Sequence, residues 1–344
     1  MDGCVKPSFA VADMHTTALQ FLNIQKTYTD YYTSNLTLYN KASIALMGST
    51  LSSLKMDTCK SKVISPFAFQ APPKATYMKD DGVVYVHTIK NERIATYFVN
   101  HEGGHDKYWE GNAYTGDENV ILISHGNSDD IGGCKAYCKW LAHTFDANII
   151  TYDYINYGMS TKGQTTEQNM HEAISAVYEY INRELQIPQS KIILMGKSLG
   201  TAPTVFLASK DFMDDIHGVV LISPLASGIR AIMPAKLLAA DVFKSMTEYF
   251  DDIFCPSIKL INYIRVPTFI LHGKQDDIIP IQNAEMLVAQ LHRKAYYPPL
   301  YLHAKHNDVE SGNSILFRDQ MIAFFKSCDA RRLENKDEAT LVGY

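Results

Sequence analysis

Lys191-Ile192-Ile193-Leu194-Met195-Gly196-Lys197-Ser198-Leu199-Gly200-Thr201-Ala202 runs through three local patterns in twelve residues. Residues 191–195 are a short apolar run of strand length. Two glycines then bracket a serine, and Ala202, Val205 and Leu207 open a helix. A strand that turns into a helix across G-x-S-x-G is the setting in which a serine is held exposed on a sharp turn. Gly196 and Gly200 fit that turn because a Cβ on either side would clash. The competing reading makes Ser198 an ordinary helix N-cap.

Working outward, residues 119–124, 147–152, 218–222, 266–271 and 300–303 are further short apolar runs, each ending at small or polar residues. Continuous apolar runs of this length are what strands buried on both faces require. Residues 83–87 and 94–99 predict a β-hairpin turning at Lys90-Asn91-Glu92. Between the runs lie helical patterns. In 166–185, Met170, Ile174, Val177, Ile181 and Leu185 share one face, with Thr165 and Gln168 as a capping box. Strands alternating with helices predict an α/β domain with a mostly parallel central sheet and helices on both faces. Sites in such sheets lie at the C-terminal strand ends.

The chemistry-bearing residues fall at those ends. A serine hydroxyl needs a base to take its proton and donors where the oxyanion develops. The Leu199 N–H is one candidate donor. The second is the N–H of Asn127, in Ser124-His125-Gly126-Asn127, where Gly126 lets the backbone approach a substrate. His272-Gly273-Lys274-Gln275-Asp276 supplies the acid, Asp276, with Asp277 as the adjacent alternative. Ala304-Lys305-His306-Asn307-Asp308 supplies the base, His306, with His303 as its nearest competitor. The chain order Ser, Asp, His is that of the α/β-hydrolases. The reaction calls for no cofactor. Asp153 is expected to bond a neighbouring loop or to shape the pocket floor.

Several classes are disfavoured. The chain of 344 residues is 46% hydrophobic and 20% charged, with net charge −5, so it has material for a core and no global attraction to nucleic acid. No apolar run approaches the ~18 residues of a membrane span. The first residues lack a signal-peptide core, which predicts a cytoplasmic protein. His101-Glu102-Gly103-Gly104-His105 matches a zinc-protease pattern, but its paired glycines predict a loop, not the required helix. Cys134 and Cys138, one helical turn apart, lack a completing pair, so no metal site is expected. Asn35-Leu36-Thr37 is a glycosylation sequon that a cytosolic chain would not use.

Residues 1–60 read as an N-terminal extension, partly helical or flexible, and 61–328 as the catalytic domain. Ser65-Pro66 and Ala71-Pro72-Pro73 mark the connector between them. Residues 329–344, charged and short of bulky apolar groups, predict a flexible tail. Within 225–263, a helical pattern through Leu237, Leu238, Val242, Phe243, Met246 and Phe250 is either a small lid or a helix packed on the core.

Residues 82–328 resemble the α/β-hydrolase depalmitoylases, the type-seventeen α/β-hydrolase domain proteins. The resemblance is carried by residues 124–127, by Tyr152-Asp153-Tyr154 with Tyr157-Gly158, by residues 196–200 and by Ser223-Pro224-Leu225. It continues through residues 272–276 and His306-Asn307-Asp308-Val309-Glu310. It implies the α/β-hydrolase fold, in which the helical region within 225–263, longer than the family leads one to expect, is a small lid or insertion, and it places Ser198, Asp276 and His306 as nucleophile, acid and base. It also implies an acylated protein as substrate. The same residues would serve a lipid or small-ester carboxylesterase, and a catalytically silent scaffold is the reading from another class. Lys305 departs from the family's glycine, with the expectation that it narrows the pocket or lowers the histidine's pKa. Of the family's N-terminal acylated cysteines only Cys4 has a counterpart here, and one acyl chain gives weak, reversible membrane association.

Overall fold

A computed structural model describes residues 68–101, 116, 118–232 and 256–342. The chain divides into two units, Met1–Leu54 and Lys55–Tyr344. The first unit lies wholly outside the described residues, and so does the expected extension with Cys4. Residues 102–105 of the zinc-protease pattern and 233–255 of the expected lid lie outside them too.

Eight strands form one sheet: β1 (Val83–His87), β2 (Arg93–Val99), β3 (Val120–Ser124), β4 (Asn148–Tyr152), β5 (Ile192–Lys197), β6 (Gly218–Ile222), β7 (Thr268–Gly273) and β8 (Leu300–Leu302). Their order is β1-β2-β4-β3-β5-β6-β7-β8. β1 pairs antiparallel with β2, and β2 with β4; every other pairing is parallel. The hairpin thus forms as the sequence predicts, with Asn91 of its turn at φ 61°, a conformation that asparagine tolerates better than most residues.

All five residues of β3, β4 and β6 are buried, because helices cover both faces of the sheet. On one face Leu122, Leu194, Leu221 and Ile270 share a core with Met170, Ile174 and Val177 of helix α2 (Glu167–Glu179) and Val205 of helix α3 (Thr201–Ala208). On the other, Phe269 packs 5.4 Å from Phe324 of helix α5 (Ser314–Val342). Helix α1 (Ile131–Phe145) meets α5 there through Trp140 and Phe317, 6.0 Å apart. Helix α4 (Gln282–Gln290) follows β7. This is the predicted α/β fold.

Three local expectations are corrected. The α2 capping box is Thr166 with Asn169, not Thr165 with Gln168. The Thr165 hydroxyl donates instead to the Ile155 carbonyl at 2.8 Å, which leaves the next threonine to cap. The helical face of 166–185 ends in a π-helical turn, Tyr180–Glu184. The expected flexible tail is helical through Val342: low apolar content misled, because its Ala, Arg, Leu, Glu and Lys are good helix formers. Arg332 also ties that helix down, donating to the Asp215 carbonyl at 2.9 Å.

Candidate active site

The parallel register sets Ser124 beside Gly196, so the loops after β3 and β5 leave the sheet at adjacent points. Ser198 directly follows β5, in a tight turn that runs into α3, and holds φ 51°. A left-handed conformation in a residue other than glycine costs roughly 1–3 kcal/mol and persists only where the surroundings enforce it. Here the flanks do. A Cβ on Gly200 would lie 2.0 Å from the Ser124 carbonyl oxygen, and one on Gly196 would lie 2.7 Å from the Gly200 carbonyl oxygen. The Thr201 hydroxyl donates to the Ser198 carbonyl at 2.7 Å. Gly200 therefore sets how close the elbow comes to β3, and Gly196 how tightly α3 folds back on β5.

The Ser198 hydroxyl faces His306 Nε2 at 2.9 Å, and His306 Nδ1 faces Asp276 Oδ2 at 2.7 Å. A carboxylate only accepts, so Nδ1 carries the proton and Nε2 is free to take the serine's. Asp276 Oδ1 accepts the Ile278 and Ile279 N–H groups at 2.9 and 2.8 Å. Buried His272 approaches Oδ2 through Nε2 at 3.1 Å. Burial pushes the Asp276 carboxyl up, but the His272 and His306 donors outweigh it and hold it well below the usual carboxylate range. The arrangement can deprotonate a hydroxyl and stabilise the imidazolium that results.

The alternatives point elsewhere. Asp277 is about half exposed and lies 3.7 Å from Lys305 Nζ. His303 Nε2 meets the Gln275 amide at 3.1 Å. Lys305 is itself 64% exposed in its side chain, so the expectation that it narrows the pocket is corrected: paired with Asp277, it faces solvent.

Gly126, the residue before Asn127, borders the serine. A Cβ on Gly126 would sit 3.8 Å from Ser198 Cβ, in ordinary contact. Leu199 begins the turn into α3, where helix N–H groups are unsatisfied. Asp153 is wholly buried, accepting the N–H of Ile131 at the start of α1 at 2.9 Å and the hydroxyl of Tyr77 in the segment before β1.

Sequence reasoning missed two features. In sequence His272 is only the first residue of the stretch that ends at Asp276, with nothing to signal its contact with that carboxylate. Lys197, the residue before Ser198, reaches Glu310 at 2.8 Å, and Glu310 is 1% exposed. That pair ties the serine elbow to the segment after His306. Among the described residues no group of three or more His, Cys, Asp or Glu could hold a metal ion. No helix among them is long and apolar enough to cross a membrane.

A mostly parallel sheet with a strained serine just after its fifth strand, facing a histidine that is backed by an aspartate from another later loop, defines an α/β-hydrolase. A family model described as alpha/beta hydrolase fold matches residues 119–254. The chain is 34% identical over 224 residues to alpha/beta hydrolase domain-containing protein 17B of Homo sapiens, covering 65% of this chain and 68% of that one. It is 35% identical over 192 residues to alpha/beta hydrolase domain-containing protein aho-3 of Caenorhabditis elegans, covering 56% and 53%. The chain spans only 53% to 63% of the length of aho-3 and of several 17C proteins. Among solved structures, the Pyrococcus furiosus esterase Pf2001 superposes with TM-score 0.54 at 15% identity, over 75% of this chain and 97% of that one. Est1E of Butyrivibrio proteoclasticus, bound to ferulic acid, gives 0.51 at 14%, over 71% and 99%. The chain belongs to the α/β-hydrolase family, as a relative of the alpha/beta hydrolase domain-containing 17 proteins.

Proposed function

We propose that this hydrolase is a serine acyl-thioesterase that removes acyl chains from protein cysteines. The observation that carries the reading is the hydrogen-bonded chain from Ser198 through His306 to Asp276, at 2.9 and 2.7 Å. The Ser198 oxygen attacks the thioester carbonyl while His306 Nε2 takes its proton. Asp276 steadies the imidazolium, and the Leu199 and Asn127 N–H groups bind the oxyanion. The carbon–sulfur bond breaks, and the thiol leaves with the proton from His306. Water, deprotonated by His306, then releases the acid and restores Ser198.

The likeness to the 17B and 17C proteins supports the thioester over other esters, since the resemblance in residues 82–328 is to depalmitoylases. A thiol's pKa of about 8.5 also makes it an easier leaving group than an alcohol. Acylation of Cys4 as a weak membrane anchor belongs to the same proposal. Replacing Cys4 lowers recovery in the membrane fraction if it holds, and unchanged partitioning ends it. The substrate is tested by comparing hydrolysis of a long-chain acyl-cysteine peptide with its oxygen-ester analogue, using native protein and Ser198→Ala. The proposal expects faster, Ser198-dependent cleavage of the thioester. A preference for the oxygen ester makes the protein a carboxylesterase, and no Ser198-dependent turnover of either makes it a binding scaffold.

A further inference from the structure

The loop from His125 to Asn127 is gripped from several sides. The His125 carbonyl accepts from the Tyr154 hydroxyl at 2.7 Å. The Asn127 side chain accepts from the Gln70 N–H at 2.9 Å and the Tyr157 hydroxyl at 2.7 Å, and donates to the Ala68 carbonyl at 2.8 Å. The Gly126 carbonyl faces His125 Nδ1 at 2.8 Å. A carbonyl only accepts, so that nitrogen carries a proton. By contrast, the backbone N–H of Asn127 has no acceptor among the described residues.

The planar trans peptide couples these two observations. Across one peptide bond the C=O and N–H point in opposite directions. Whatever holds the Gly126 carbonyl therefore sets where the Asn127 N–H points. His125 holds it from the buried side: its ring is wholly enclosed, 4.4 Å from the Tyr154 ring. The far nitrogen, Nε2, lies 3.3 Å from Asp153 Oδ1, a contact of charge without hydrogen-bond alignment. Asp153 is fixed in turn by the Ile131 N–H and the Tyr77 hydroxyl. Burial pushes the His125 pKa down, and Asp153, with Asp129 and the Gly126 carbonyl, brings it to a net rise above the ordinary histidine value.

We propose that His125 is a positioning residue: by holding the Gly126 carbonyl it turns the Asn127 N–H toward the oxyanion formed at Ser198, with Asp153 fixing the ring. This rests on the reading of Ser198 as nucleophile and Asn127 as donor.

Two substitutions separate the nitrogens. In His125→Asn the amide nitrogen takes the place of Nδ1 and can still donate to Gly126. In His125→Gln it takes the place of Nε2 and can meet only Asp153. Active-site titration with a fluorophosphonate comes first, since native protein that fails to react at Ser198 overturns the underlying reading whatever His125 does. Given a reactive Ser198, kcat per titrated site is measured with an acyl-thioester peptide. Loss of one oxyanion donor costs ~100–1000-fold, and a misdirected donor a part of that. The expectation is kcat within about fivefold of native for Asn and lower by about 30-fold or more for Gln, with KM nearly unchanged in both. Affinity for a boronic-acid mimic of the tetrahedral state falls in step. Native kcat in the Gln variant, or equal losses in the two, overturns the assignment. If neither variant folds, the phosphonate adduct of native protein decides. An adduct oxygen about 2.7–3.1 Å from the Asn127 nitrogen, with Gly126 still on His125, supports it, and a flipped peptide refutes it.

Discussion

Replacing Lys197 by Met strands Glu310. The Glu310 carboxylate is 1% exposed and lies 2.8 Å from Lys197 Nζ, whereas the lysine side chain is 20% exposed and rests 5.7 Å from the Tyr137 ring centre. The two halves of the pair are therefore unequal, because the lysine can turn out to water and the glutamate cannot. Breaking a buried pair from one side costs about 3–5 kcal/mol, and partial exposure of the lysine puts Lys197→Met near the lower end, at about 3. Glu310→Gln leaves an acceptor in place and a lysine able to reach solvent, so about 1 kcal/mol is expected. The double variant leaves no stranded charge, and should cost about 2 kcal/mol instead of the additive 4. Urea unfolding of the four proteins measures all three numbers; in thermal melts Lys197→Met should fall by roughly 6–9 °C. The pair joins the segments that carry Ser198 and His306, so kcat should drop with the same ranking. A glutamate variant less stable than the lysine variant refutes the reasoning, and so does additivity within about 0.5 kcal/mol.

Asp276→Asn should lower kcat by about 10⁴-fold by disturbing the His306 tautomer, whereas Asp277→Asn, at an exposed site, should stay within about threefold; steady-state kinetics on one substrate compares them. Gly200→Ala places a methyl 2.0 Å from the Ser124 carbonyl oxygen and Gly126→Ala places one 3.8 Å from its nearest neighbours. The first should lose about 3 kcal/mol or more in urea unfolding, and the second should keep native stability. His171 stacks on Phe206 with centroids 3.7 Å apart, and burial, helped by the Lys210 charge, pushes its pKa down to about 3. The unfolded chain, with a histidine pKa of about 6.5, binds more protons between those values. The contribution of His171 is therefore complete above pH 6.5 and lost as the pH falls toward 3, with roughly 2 kcal/mol gone at pH 5. His171→Phe should lose less stability than native protein between pH 8 and pH 5, and parallel losses would show that His171 is not the group responsible.

The sheet was legible because its central strands are buried on both faces and so must be continuous apolar runs. All of the predicted strands appear, with ends shifted by a residue or two. The serine elbow was legible because strand, glycine pair and helix lie within one short stretch. What was not legible depends on partners far along the chain. Glu310 meets Lys197 across 113 positions, and His125 meets Asp153 through a fold that brings β3 and β4 together. A buried charge looks in sequence like any surface charge. Lys305 shows the converse: beside the histidine in sequence, its side chain points away to Asp277. The α2 cap moved by one residue because the Thr165 hydroxyl has another acceptor, which periodicity does not report.

The central claim is that Ser198 is the nucleophile. Labelling native protein and Ser198→Ala with a fluorophosphonate, then locating the adduct by peptide mass spectrometry, tests it most directly. The account predicts one adduct, on Ser198, formed in native protein and absent from a folded Ser198→Ala. An adduct on another residue, or equal labelling of the two proteins, contradicts it.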